Sequence, residues 1–364
     1  MNNGKTRILI FGATGSIGTQ ALDIISKSKN LTLCGFSYYS NDALARKIKN
    51  KYKLNSILKS SSNITEKEIS NYIKKTKPDL IVNAVVGFAG ITYSFATIKN
   101  KIDLALANKE TLVCAGKFFN DYVIKYNINV YPIDSEHSAL YQLIHHRWTR
   151  PISYYYITAS GGPFWEYDKD KLLKVTYSQA IKNPNWKMGA KVSVDSATLI
   201  NKAYEMLETY WLFNNIEVSA LVQRKSLIHA FVQFENNQFG VYEAKADMHW
   251  PIELALNRYT LHDNSMKQYK TFKDIPYKLT QLKNKYLKGY TYGEAMLKQP
   301  TSALPIIINA ADEEAISLFK QNKINFLQIY ELIDKCIKEF KHTRINKLSD
   351  VYTLDKEVRK FIKK

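Results

Sequence analysis

TRILIFGATGSIGTQALDIISKS, residues 6–28, is the stretch that decides the fold. Residues 6–12 (TRILIFG) form a short apolar run rich in β-formers, which predicts a buried strand. Gly12-Ala-Thr-Gly15-Ser-Ile-Gly18 follows, and TQALDIISKS then reads as a helix. Strand, glycine turn and helix are the context a dinucleotide site requires, because backbone must approach a pyrophosphate closely and a helix N-terminus must point at it. The spacing is G-x-x-G-x-x-G rather than G-x-G-x-x-G, with a similar physical need.

The next strand is LTLCGFSYY (31–39). Tyr39, Ser40 and Asn41 stand where an acidic residue would hold the ribose hydroxyls of NAD, which leans the reading toward NADP. Asp42 is expected to cap the helix that follows. Strand-like runs recur at 78–87, 101–108 and 128–134 with helical segments between them, which argues for an open parallel α/β sheet. Further strands are expected at 151–160 and over 227–247, where NNQ between two runs suggests a hairpin. The fold class is therefore α/β. An N-terminal Rossmann-like parallel sheet (1–134) is followed by a central α/β domain (135–261), a polar linker (262–290) and a C-terminal helical bundle (291–364).

The formal net charge of +19 raises a nucleic-acid partner, but the lysines are scattered and no stretch interleaves basic residues with stacking aromatics. The charge suits a substrate and cofactor that both carry phosphates. No apolar run approaches the ~20 residues of a membrane span. MNNGKTR leads directly into a strand and leaves no room for a targeting peptide. The three cysteines, Cys34, Cys114 and Cys336, are far apart and read as reduced core residues, so a cytoplasmic location is expected.

Two strand ends are polar in an informative way: Asn108-Lys109-Glu110 and Asp134-Ser135-Glu136-His137. In extended backbone Asp134 and Glu136 face the same way, and paired carboxylates suit a hard divalent ion or a shared proton. A polar turn is the plain alternative, and Glu205 is the candidate third ligand. Ser160-Gly-Gly-Pro-Phe164 fits an anion-binding nest or an ordinary turn. Over NPNWKMGAKVSVDSATLINKAYEMLE (183–208), Asp195-Ser196 is expected to cap a helix. Leu199, Ile200, Ala203 and Leu207 give that helix an apolar face, and Thr198, Asn201, Lys202 and Glu205 share the other. His229, within an apolar strand, reads as a satisfied core residue.

With these five motifs in order, the chain resembles the 1-deoxy-D-xylulose 5-phosphate reductoisomerase family over essentially its full length. The resemblance implies NADPH bound by Thr14, Gly15, Ser16 and Ile17, by the Tyr39-Ser40-Asn41 turn, and by Asn108, Glu110 and Gly189. It implies one divalent cation (Mg²⁺, Mn²⁺ or Co²⁺) on Asp134, Glu136 and Glu205. It implies a phosphorylated sugar substrate held by Lys109, Ser135, Ser160, Asn183, Trp186, Ser196, Asn201, Lys202 and Glu205. Ser160, Ser196, Asn201 and Lys202 would lie near the phosphate, and Lys109, Glu136 and Glu205 would take catalytic roles. Residues 183–191 would be a lid carrying Trp186 and Met188, and the protein a homodimer. Asn183 stands where the family usually has His, and Ser40 where many members have Lys. A metal-independent NAD(P)-dependent oxidoreductase on the same fold would explain the glycine turn but not the three acidic positions.

Overall fold

The computed structural model describes residues 4–145, 151–183, 185–186, 188–260 and 278–364. The N-terminal unit alternates strand and helix: β1 (Thr6–Phe11), α1 (Ser16–Lys27), β2 (Leu31–Tyr38), α2 (Asp42–Lys51), β3 (Leu58–Lys59), α3 (Glu66–Thr76), β4 (Leu80–Asn83), α4 (Gly90–Lys99), β5 (Asp103–Leu106), α5 (Glu110–Tyr126) and β6 (Val130–Pro132). The sheet order is β3-β2-β1-β4-β5-β6 and every pairing is parallel. Strand order reverses between β1 and β4, which opens a crevice at their carboxyl ends. Gly12 lies there with φ +82°, and a Cβ on it would sit 2.6 Å from the Ala84 carbonyl oxygen. Only glycine lets the turn after β1 press so closely on the loop after β4.

α1 starts immediately after this turn, and no side chain caps its first amides. The cap of α2 is Asn41, whose side chain accepts from Leu44 N at 3.0 Å. Asp42, expected in that role, instead pairs with Lys59 at 2.9 Å and accepts from the Tyr38 hydroxyl. Its longer reach across to β3 is a tertiary gain that local sequence does not carry.

The central unit contains α6 (Ser135–His145), β7 (Ile152–Ala159), α7 (Lys169–Leu173), α8 (Tyr177–Ala180), α9 (Ala190–Thr198), α10 (Ile200–Leu212), β8 (Val218–Val222), β9 (Ile228–Phe234), β10 (Phe239–Glu243), α11 (His249–Leu256) and β11 (Thr280–Gln281). The second sheet runs β10-β9-β7-β8-β11, with β7 and β8 parallel and the other pairs antiparallel. The expected β9–β10 hairpin is present; β8 was not foreseen. α11 returns to the first sheet, where Ile252, Ala255 and Leu256 share an apolar cluster with Ile8 and Ile10.

The expected linker is divided. Residues 262–277 lie outside the described residues, while within 278–290 Leu282 and Leu287 are buried between exposed neighbours and α12 (Gly289–Lys298) has already begun. α13 (Leu304–Lys320), α14 (Gln328–Phe340) and α15 (Leu348–Ile362) complete the C-terminal bundle.

The 190–212 region is two helices, not one capped at Asp195-Ser196. Both of those residues lie inside α9, and the break falls at Leu199, which takes φ 64°. α12 crosses at that point, so closely that a Cβ on Gly289 would lie 2.2 Å from Leu199 backbone. The break is thus set by packing. It places Asn201 and Lys202 in the first turn of α10.

Candidate active site

Asp134 follows β6, and Glu136 sits in the first turn of α6, where Ser138 N donates to the Asp134 carbonyl at 2.8 Å. The two carboxylates therefore converge through a strand-to-helix turn rather than through extended-strand alternation. A negative side chain is favoured in the first turn by the helix dipole. Glu205 arrives from the middle of α10. Carboxylate oxygens of Asp134, Glu136 and Glu205 lie within 4.8 Å of one another.

Two buried ammonium groups bind this acidic cluster. Lys109, at the start of α5, lies 2.5 Å from Asp134 Oδ2 and 3.0 Å from Glu205 Oε1, and donates to Asn201 Oδ1 at 2.9 Å. Lys202 donates to Glu136 Oε1 at 2.7 Å and to the Thr158 carbonyl at 2.5 Å, and pairs with Glu205 Oε2. Burial pulls the Lys109 pKa down, but Asp134 and Glu205 outweigh it and hold the ammonium charged. Burial pushes Asp134 up, yet Lys109 keeps its carboxyl well below the usual range. Glu136 is pushed up to about 8 by burial and by facing Glu205. The three acidic groups are crowded enough that, with no cation present, Glu136 keeps its proton at neutral pH. An all-oxygen donor set of this size fits a hard divalent cation, which would relieve the Glu136–Glu205 repulsion.

The cluster lies in a cleft of about 910 Å³ that also reaches Ser16 and Ile17 at the amino end of α1. Ser135, Ser160, Trp186, Gly189, Ser196, Asn201 and Lys202 line the same space, together with Met188. Asn183 Nδ2 donates to Ser196 Oγ at 3.0 Å, and its Oδ1 accepts from Asn185 N at 3.0 Å and Trp186 N at 3.1 Å. Asn183 therefore shapes the loop that carries Trp186. Residues 184 and 187 of the expected lid lie outside the described residues.

The remaining candidates are arranged differently. Thr14 and Gly15 form the turn below the cleft. Tyr39, Ser40 and Asn41 lie exposed at the end of β2, beside that turn in the sheet but not in the cleft wall. Asn108 is buried, and its amide donates to the Val85 and Gly87 carbonyls and to Glu110 Oε2. Glu110 is also buried, with its other oxygen accepting from Lys191 at 2.9 Å. In this arrangement both side chains shape the loop after β4.

Sequence reasoning passed over several residues that support the site. Lys191 bridges Glu110 and Asp195 at 2.9 Å each and comes within 3.9 Å of Asp312. Its i,i+4 relation to Asp195 was the only local signal. Arg224 donates to the Ser160 carbonyl and, at 3.0 Å, to that of Gly162, which holds the Ser160 turn; nothing in its neighbourhood in the sequence marks it. His137 Nε2 bonds the Glu205 carbonyl and Thr209 Oγ1 at 3.0 Å each, tying α6 to α10. Its Nδ1 faces the buried Glu208 at 3.5 Å.

Residues 8–63 and 44–116 match the family model described as 1-deoxy-D-xylulose 5-phosphate reductoisomerase. Residues 130–213 match the model for that enzyme's C-terminal domain, and 244–361 a second one described as DXP reductoisomerase C-terminal domain. The 1-deoxy-D-xylulose 5-phosphate reductoisomerase of Malacoplasma penetrans is 38% identical over 365 residues, covering 100% of this chain and 96% of the relative. The chain belongs to the 1-deoxy-D-xylulose 5-phosphate reductoisomerase family. The reductoisomerase of Thermoanaerobacter pseudethanolicus is 36% identical over 98% of each chain. Among solved structures, the Zymomonas mobilis reductoisomerase in complex with NADPH superposes with TM-score 0.79 at 26% identity, over 98% of this chain and 97% of the other. A DOX-P reductoisomerase in complex with NADPH, fosmidomycin and magnesium gives TM-score 0.85 at 26% identity, over the same shares.

His229, as expected for a core residue, is buried; it bonds the Ala244 carbonyl at 3.1 Å and meets Trp186 edge to face at 5.9 Å. Burial lowers its pKa to about 4 from the ordinary 6.5, and the bond to Ala244 only partly offsets this. The unfolded chain therefore takes up a proton first as pH falls, and the stability contributed by neutral His229 is lost between pH 6.5 and 4. By linkage this amounts to about 3 kcal/mol. Urea unfolding of wild type and His229→Gln at pH 7 and pH 4 should show the smaller pH loss in the variant; equal losses would refute the assignment.

Proposed function

We propose that this chain converts 1-deoxy-D-xylulose 5-phosphate to 2-C-methyl-D-erythritol 4-phosphate, with NADPH and one divalent cation, in the methylerythritol phosphate route to isoprenoid precursors. The observation that carries this reading is one cleft holding three converging carboxylates, two ammoniums and an uncapped helix N-terminus. Neighbouring family structures bound to NADPH and to magnesium support it. So does the sequence, which has no acidic residue at the end of β2.

Asp134, Glu136 and Glu205 would hold the cation, which supplies Lewis acidity to adjacent carbonyl and hydroxyl oxygens of the sugar. The glycine turn and Ser16-Ile17 would hold NADPH, which supplies hydride. Lys109 and Lys202, now paired with these carboxylates, would hold substrate oxygens. Ser160, Ser196, Asn201 and Lys202 offer two hydroxyls, an amide and an ammonium, a donor set suited to a phosphate. Lys202 and Asn201 stand in the first turn of α10, whose dipole adds to the attraction. Trp186 and Met188 exclude water from the reacting carbons, which strengthens every polar contact beneath them.

The outer face of the second sheet carries Tyr154, Tyr156, Phe231, Phe239 and Val241 on one side, with Phe239 and Val241 each 52% exposed. We infer that a second copy of the chain covers this face, as the family's homodimers would suggest. No helix among the described residues is long and apolar enough to cross a membrane.

Purified protein should oxidise NADPH with 1-deoxy-D-xylulose 5-phosphate only when Mn²⁺ or Mg²⁺ is present. Glu205→Gln should reduce kcat/KM by about a hundredfold or more. Metal-independent oxidation that survives this change would break the proposed centre. Asn183→His should lower KM for the sugar phosphate, since imidazolium can add charge where the amide cannot; an unchanged or raised KM would end that idea. In sedimentation velocity the wild type should run as a dimer and Phe239→Asp as a monomer, and a monomeric wild type would remove the dimer.

A further inference from the structure

The C-terminal bundle holds the backbone of the loop after β4 through Glu313 of α13, with Tyr352 and Arg359 of α15 packing on the Phe88 ring beside it. Phe88 N–H, in the loop between β4 and α4, donates to Glu313 Oε1 at 2.8 Å. Asn309, one turn earlier on α13, donates to the same oxygen at 3.2 Å. The other oxygen, Oε2, accepts from Arg359 of α15 at 2.7 Å. Arg359 is itself fixed by a two-pronged pair with Asp355, at 2.8 to 3.0 Å, and lies over the Phe88 ring at 6.0 Å.

The loop receiving this contact follows β4 and flanks the crevice at the strand-order reversal, beyond the residues that line the cleft. Its first residue, Ala84, presses on Gly12 of the glycine turn. Its middle is held from behind by Asn108, which donates to the Val85 and Gly87 carbonyls at 2.9 Å. Gly87 has φ +77°, and a Cβ there would lie 2.8 Å from the Glu313 carboxylate. Carboxylate and loop thus fit without room for a methyl group. Val86, between the two anchored carbonyls, stays 57% exposed.

The contact also distinguishes the two helix ends that face the crevice. α4 has no side-chain cap of its own, and its N-cap is Ala89. Glu313 puts an anion at that end, where the helix dipole favours one. α1 also lacks a side-chain cap and has no acidic residue in its first turn. The α4 end thus already has its anion, while the α1 end is open to one.

Resting on the NADPH reading above, we propose that Glu313, braced by Arg359, is a positioning residue for the cofactor. It fixes the 84–88 loop from a domain that does not itself line the cleft, and leaves the α1 end open to phosphate. Loss of the contact should loosen the cofactor and leave chemistry intact once the cofactor is saturating.

The test is NADPH affinity measured by fluorescence, without metal or sugar phosphate. Glu313→Ala should raise Kd for NADPH by about tenfold, the loss of one charge-assisted hydrogen bond. Glu313→Gln keeps an acceptor for Phe88 N–H and should recover most of that loss. In turnover, Glu313→Ala should raise KM for NADPH with kcat preserved. Gly87→Ala disturbs the same contact from the loop side, and should weaken NADPH comparably even if Glu313→Ala fails to fold. Unchanged Kd in Glu313→Ala, or in Gly87→Ala where Glu313→Ala does not fold, overturns this inference alone. A wild type that does not bind NADPH overturns both it and the function proposed above.

Discussion

A buried ammonium or carboxylate that loses its partner costs about 3–5 kcal/mol, and this protein concentrates five such groups in one place. Lys109 and Asp134 come from the N-terminal unit, Glu136 from the start of α6, and Lys202 and Glu205 from α10, so the full set of pairs forms only when α10 docks against the end of the first sheet. The cluster is expensive as structure alone, since apolar residues would pack there at lower cost. It is explained by what it can exchange. In the function proposed above, lysines that neutralise carboxylates in the protein alone would be freed for substrate oxygens if the carboxylates took a cation.

The same rule recurs one layer out. Lys191 joins α5, α9 and α13 through Glu110, Asp195 and Asp312. Arg359 joins α15 to α13 and, through Glu313, to the loop after β4. Tyr204 donates to Asp312 and Tyr330 to the Thr198 carbonyl, both at 3.0 Å, so α10 and the α9–α10 break are tied into the bundle as well. Three units separated in sequence thus share buried polar partners around the cleft. Charge pairs of this kind specify geometry, because each donor has few acceptable positions, whereas apolar contacts tolerate sliding.

Legibility from the sequence divides along the same line. The β1–turn–α1 unit was readable because its needs are local: apolar strand, glycines for close approach, then an open helix end. The parallel sheet followed from alternation, and the candidate ligands Asp134, Glu136 and Glu205 from polar strand ends and from the family resemblance. Their convergence was read correctly for a reason that does not hold, since Glu136 is helical. The expected cap at Asp195-Ser196 gives way to a break at Leu199 because Gly289 packs on the Leu199 backbone, a contact between residues ninety positions apart. Arg224 has its partners, and Lys191 two of its three, on other segments of the chain, where no local pattern marks them.

What the amino-acid sequence determined by itself is the chemistry available: a glycine turn between strand and helix, a set of acidic and basic groups at strand ends, and helices with one apolar face. Periodicity and turn chemistry act within a few residues, and these features need no more. What only the tertiary structure decided is which charges meet. It brought Lys109 to Asp134, Lys202 to Glu136, Asn183 to Ser196 and Glu313 to the loop after β4. Those pairings depend on the positions of whole elements, which are set by burial of apolar faces summed over the entire chain and are written in no single stretch of it.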